Sequence, residues 1–426
     1  MEEELDPNIE LLSFPTNLLL YLMLPILVHL GYKLYHRHFF SQIFDVCLYG
    51  ILGSALLIGI TSLINKSLLS SIFGKDLTLP QLAMFSCVTS IVDPMSICSL
   101  KPNKIFYLFL GVFIFGNAIA VDLFSPTSRL AYVSNDTVVT TTAYGYLVLN
   151  SVLDLVFGVL LGIGVGLFIA VLSKMTREER SCQYFEPAIA FVGTAVVYFL
   201  ACLWTLSTTF SVVTCCFLHQ RYAFNNFSVK SVMAIKDGLE AFSLLFEGLF
   251  FTLIGYSLNN VKVINVYKEV IMLLLVSYLV KAVIFLLITV VLNTKKKRPF
   301  KEMLRTVALM VFSGSRGPHG WALMMTYHSK TVLDFLSDSH LLLITISLIL
   351  DTLLARTIYK RMENTFEEEE EEVREGESNR LVKWIADLEK KLFTLLVADE
   401  EELEEYLLRK EVEEKEMHKE KMEQHS

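Results

Sequence analysis

Thr89-Ser90-Ile91-Val92-Asp93-Pro94 sets a carboxylate and a proline inside an apolar stretch that otherwise runs unbroken from about residue 79 to residue 100. A stretch of roughly 20 apolar residues matches a hydrocarbon core of about 30 Å. Proline removes a backbone N–H and clashes with the preceding turn, so carbonyls are freed at membrane depth. Broken helices survive in lipid only where they pack against protein or line a cavity, and there freed backbone groups can coordinate an ion. A plain structural kink is the competing reading. A second interruption, Gly314-Ser315-Arg316-Gly317-Pro318-His319-Gly320, breaks a later apolar stretch and carries a cation.

The rest of the chain supports a membrane setting. Of 426 residues, 53% are hydrophobic and only 19% charged, and the mean hydropathy is +0.50. A water-soluble chain of this length needs more charge to cover its surface. The formal charge of -8 arises largely in one tail, because about half of the acids lie from Glu363 onward. Seven cysteines (Cys47, Cys87, Cys98, Cys182, Cys202, Cys215 and Cys216) lie in or beside apolar segments. None forms a Cys-x-x-Cys pair with nearby histidines, so neither a zinc site nor a disulfide framework is indicated. No phosphate-binding loop, nucleophile elbow or metal motif is present, which argues against an enzyme, a resident cofactor and a nucleic-acid role.

About eleven spans are read from apolar length: 14–34, 43–64, 79–100, 104–124, 146–173, 184–203, 205–219, 235–257, 264–293, 303–325 and 339–360. The sixth and seventh are separated only by Trp204 and its neighbours, which suits a tight hairpin or one bent helix. Basic residues concentrate in alternate loops, at Lys33 and Arg37, Lys101 and Lys104, Lys174 to Arg180, Arg221 and Lys230, and Lys295 to Arg305. Those loops are expected to be cytoplasmic. Residues 1–13 are then an extracellular N-terminus, 14–360 a transmembrane domain, and 361–426 an acidic cytoplasmic tail. The Asn135-Asp136-Thr137 sequon falls in the longest external loop, making Asn135 the glycosylation candidate.

Ionisable side chains at membrane depth are costly and usually functional. Asp93, Asp122, Asp154, Glu186, Glu247, Lys281, Arg316 and Asp351 qualify. Asp154, Glu186 and Asp351 lie near segment ends, where such side chains reach the interface. Asp122 follows Gly116 and Ala118, residues small enough for close helix approach. A lone buried carboxylate there holds a proton or a desolvated cation, but not comfortably both. Lys281 and Arg316 can neutralise Glu247 or freed helix-end carbonyls. Pro126, four residues after Asp122, is expected to shorten or kink that helix.

Together these residues resemble the sodium/proton exchanger family of cation–proton antiporters. "SIVDPMSI" (90–97) resembles the family's Asp-Pro-Val motif, and "VFIFGNAIAVDLF" (112–124) its "FGESLLNDAV" helix, with Asp122 on the essential aspartate. "FEPAIAF", "LLFEGLFFTLIG" and "MVFSGSRGPHGWAL" resemble three further segments in the family's order, placing Glu186, Glu247 and Arg316 on its charged positions. Lys281 falls where the family often has arginine. "LPILVHLGYKL" resembles the "LPPIILDAGY" helix, and the similarity covers about residues 14–360. The chain departs at Val121 and Asn117, where the family has asparagine and glutamate, and it begins at what resembles the family's third helix, without the first one or two.

The resemblance implies an all-α polytopic membrane protein with the antiporter fold: inverted repeats, crossing broken helices, and a homodimer. It implies a sodium (or potassium)/proton antiporter for pH and sodium homeostasis, with Asp122, Asp93 and Asn117 handling ions and Glu186, Glu247, Lys281 and Arg316 supporting them. No metal is expected beyond the transported ion, and the plasma membrane is favoured over an endomembrane. The alternative is a transport-inactive relative serving as a regulatory or partner subunit. In the tail, Leu381, Ile385, Leu388, Leu392 and Leu395 form a helical stripe. The amphipathic helix 381–396 resembles the family's docking site for a calcineurin-B-like protein; a solvated helix and a membrane-surface helix are the other readings.

Overall fold

The structure, a computed structural model, describes residues 21–74, 77–93, 104–133, 141–177, 185–259, 261, 263–296, 300–314, 316–325 and 330–367. These are almost entirely helical. In chain order the main helices are α1 (Leu24–Leu34), α2 (Ile43–Phe73), α3 (Leu79–Ser90), α4 (Lys104–Val133), α5 (Thr141–Arg177), α6 (Phe185–Leu203) and α7 (Thr208–Leu218). They continue with α8 (Val229–Leu258), α9 (Val263–Lys296), α10 (Phe300–Phe312), α11 (Pro318–Met325) and α12 (Lys330–Glu367). Asn135, residues 1–20 and the tail helix 381–396 lie outside the described residues.

Among the described residues, six helices, α2, α4, α5, α6, α8 and α9, are long and apolar enough to cross a membrane. Their outward faces are apolar too: Val148, Leu149, Val152, Val156, Phe157 and Leu160 of α5 are all exposed. An apolar face of that extent suits lipid rather than water. The protein is an all-α, multi-pass integral membrane protein. The spans expected at 79–100 and 303–325 are each represented by shorter helices, α3 and the pair α10–α11, because an extended segment interrupts them.

The described residues form two compact units. The first contains His36–Val156 and Leu244–Glu370, and its core gathers Ile58, Leu82, Phe85, Val88, Phe124, Val270 and Leu343. Helix α2 packs on α4 through glycines: a Cβ on Gly50 would lie 2.8 Å from the Phe115 Cβ, and one on Gly116 would lie 2.6 Å from the Ser54 Oγ. Helix α3 starts where Gln81 Oε1 accepts the Thr78 N–H at 2.9 Å, with Pro80 in its first turn. It ends at Ser90, and the residue before Pro94 is biased to extended backbone. Helix α4, expected to shorten or kink at Pro126, is not shortened there and runs on to Val133. In the same stretch Thr127 Oγ1 donates back to Leu123 O at 2.6 Å and Ser128 Oγ to Ser125 O at 2.7 Å.

The second unit contains Pro25–Tyr35 and Phe157–Ser243. Helices α6 and α7 form the tight hairpin, turning at Thr205, which adopts a φ of 55°. Gly158 of α5 sits against Ser207, where an added Cβ would come within 2.8 Å of the carbonyl oxygen. Tyr32 of α1 meets His219 Nδ1 at 2.9 Å.

Candidate functional site

Two extended segments cross inside the first unit. Val92, just beyond α3, pairs with Arg316, between α10 and α11, as an isolated antiparallel bridge. Glycines allow this approach. A Cβ on Gly314 would lie 2.5 Å from Val92 Cγ1, and one on Gly317 would lie 2.7 Å from the Asp93 Cβ and 3.1 Å from its Cα.

Each break exposes a helix C-terminus, whose last carbonyls lack intrahelical partners and carry partial negative charge. A buried cation meets each one. Arg316 donates from Nε to Thr89 O of α3 at 2.9 Å and from Nη2 to Ser277 Oγ of α9 at 2.6 Å. Lys281 Nζ donates to Val311 O of α10 at 3.4 Å and lies over the Phe113 and Phe285 rings. The Arg316 N–H reaches Ser347 Oγ of α12 at 3.4 Å.

Asn117 of α4 secures the first break from the other side. Its Oδ1 accepts the Val92 N–H at 2.8 Å, and its Nδ2 donates to the Val92 carbonyl. The next residue, Asp93, is buried and within hydrogen-bonding reach of the Glu247 carboxyl on α8. Two bare negative charges so placed repel, and a proton or a cation shared between them would relieve that repulsion. Asp122 lies five residues past Asn117, about 140° round α4 and about 7.5 Å along it.

The structure therefore brings Asp93, Asn117, Glu247, Lys281 and Arg316 to one crossing, with Asp122 further along α4. Glu186 is elsewhere, in the second unit, where its Oε2 accepts the Ser228 N–H at 3.0 Å and the Ser228 hydroxyl at 2.9 Å. That places a carboxylate at the start of α8, where helix N–H groups lack partners.

Sequence reasoning missed Ser277, Tyr278 and Ser347, which carry no motif, and misjudged Asp351. Its position near a segment end suggests a side chain reaching the interface. In the structure it is 1% exposed and accepts a hydrogen bond from Tyr278 Oη at 2.6 Å.

Known proteins share this chain's family pattern and its fold. The family described as "Sodium/hydrogen exchanger, transmembrane" matches residues 6–360. Sodium/hydrogen exchanger 3 of Mus musculus is 24% identical over 326 residues, 75% of this chain and 39% of that protein. Sodium/hydrogen exchanger 2 of Oryctolagus cuniculus is 27% identical over 246 residues, 56% of this chain and 30% of that protein. The chain thus spans well under half the length of these relatives. The solved structure of the sodium proton antiporter MjNhaP1 from Methanocaldococcus jannaschii matches with a TM-score of 0.59 at 16% identity, over 80% of this chain and 84% of that one, which shows a common fold. With the family's pattern running through both breaks, the chain belongs to the sodium/hydrogen exchanger family.

Proposed function

We propose that this chain exchanges a monovalent cation, sodium or potassium, for protons, with Asp122 as the carrier and Asp93 shaping the site. The observation that supports this most directly is the crossing of two extended segments with a buried cation on each freed helix end. Carboxylates beside such a crossing offer protons and cations one set of oxygens to compete for. A role in pH and sodium homeostasis at the plasma membrane, as a homodimer with a cytoplasmic tail, extends the same reading. So does a calcineurin-B-like partner on helix 381–396, for which Leu388→Gln with Leu392→Gln in the full chain should abolish recovery of the partner.

The second reading is a transport-inactive relative that serves as a partner subunit. One observation favours it: the Asn117 amide is engaged on both sides by Val92, which gives it a structural task at the break. Proteoliposomes holding the purified chain decide between the two. Proton flux driven by an imposed sodium or potassium gradient supports exchange, and flux no greater than that of empty liposomes supports the second reading.

A further inference from the structure

Asp351 has no place in the exchange reading above, yet it is among the most deeply buried charged side chains of the first unit. Its Oδ1 accepts from Tyr278 Oη at 2.6 Å, while its Oδ2 is buried without a hydrogen-bond partner among the described residues. Ser347, one turn earlier on the same face of α12, accepts the Arg316 N–H. Ser277, Tyr278 and Lys281 share a face of α9, and the Arg316 guanidinium lies 5.6 Å from the Tyr278 ring centre. Through Tyr278 the carboxylate is brought towards both cations, Lys281 lying three residues further along α9 and Arg316 over the ring, and both act on it electrostatically. His319 opens α11, and His340 lies eleven residues earlier on α12, about 16 Å along the axis.

A buried carboxylate oxygen without a donor is costly unless a nearby positive charge offsets it. Two buried cations that serve only neutral carbonyls and hydroxyls are costly for the same reason. One arrangement answers both. We propose that Asp351 is the fixed counter-anion of the Lys281–Arg316 pair, a positioning residue that keeps both cations on the ends of α3 and α10. Tyr278 holds the carboxylate in place, and α12 is thereby tied to the crossing.

The test uses the full chain in detergent and in proteoliposomes. Asp351→Asn keeps the shape and removes the charge, and should lower the melting temperature by several degrees. Lys281→Met alone should also lower it, whereas the double variant should recover most of the Asp351→Asn loss, because one charge of each sign has then gone. Additive losses, a double variant no better than Asp351→Asn, or an Asp351→Asn protein that melts like the unaltered chain would each overturn the proposal. If Asp351→Asn does not accumulate, recovery of folded protein in the double variant supports the proposal and its continued absence overturns it. The transport arm alone rests on the exchange reading. Loss of a buried negative charge leaves the crossing more positive and favours ionised carboxylates. The pH profile of exchange should therefore move to the acid side by about one unit in Asp351→Asn, and an unmoved profile in a folded variant counts against the proposal. Should the unaltered chain carry no ions, the melting measurements still decide the role of Asp351 while the exchange reading fails.

Discussion

Replacing Arg316 with alanine should damage the fold more than it alters ion affinity. The side chain makes two hydrogen bonds, to Thr89 O at 2.9 Å and to Ser277 Oγ at 2.6 Å, and both tie separate helices to the second break. Hydrogen bonds to a charged group contribute about 1.5–3 kcal/mol each. Removing one partner from a buried charged arrangement costs about 3–5 kcal/mol, which agrees with two such bonds. Arg316→Lys retains the charge but not the planar fork, so it can serve one acceptor and should lose an intermediate amount. Ser277→Ala keeps the arginine and leaves one donor without its partner, at about 1–3 kcal/mol. Thermal unfolding of the purified chains in one detergent should rank them, with Arg316→Ala least stable, then the other two. A stable, abundant Arg316→Ala protein with a large change in cation affinity would refute this reasoning and move Arg316 into the ion site.

Gly317→Ala places a Cβ 2.7 Å from the Asp93 Cβ, so the crossing must open, at about 1–3 kcal/mol; unchanged melting and flux would show that the segments separate freely. Asp122→Asn should abolish exchange while expression and melting stay near those of the unaltered chain, since an amide neither releases a proton nor neutralises a cation; normal flux in proteoliposomes would remove Asp122 as the carrier. Asn117→Asp keeps the acceptor for the Val92 N–H but replaces the donor facing the Val92 carbonyl, so melting should fall by an amount equivalent to about 1–3 kcal/mol; an equally stable variant would mean that the break holds without that bond.

Much of this protein is legible in residue order alone. Apolar length and exposed apolar faces follow from the need to match hydrocarbon, and a helix must pause where Pro94 and the Gly314–Gly320 segment deny it hydrogen bonds. The membrane class, both breaks and the burial of Asp93, Lys281 and Arg316 could therefore be read locally. Pro126 was not decided locally, because α4 continues past it to Val133 while packed among other helices of the first unit. Nor could Glu186 and Asp351, two acids near segment ends, be told apart by position. Tertiary packing gives the first Ser228 at the start of α8 and buries the second against Tyr278 beside Lys281 and Arg316. The pairing of Val92 with Arg316 joins residues more than 200 positions apart. Periodicity and hydropathy report which groups each segment must satisfy, while the partner that satisfies them is chosen only when distant segments meet.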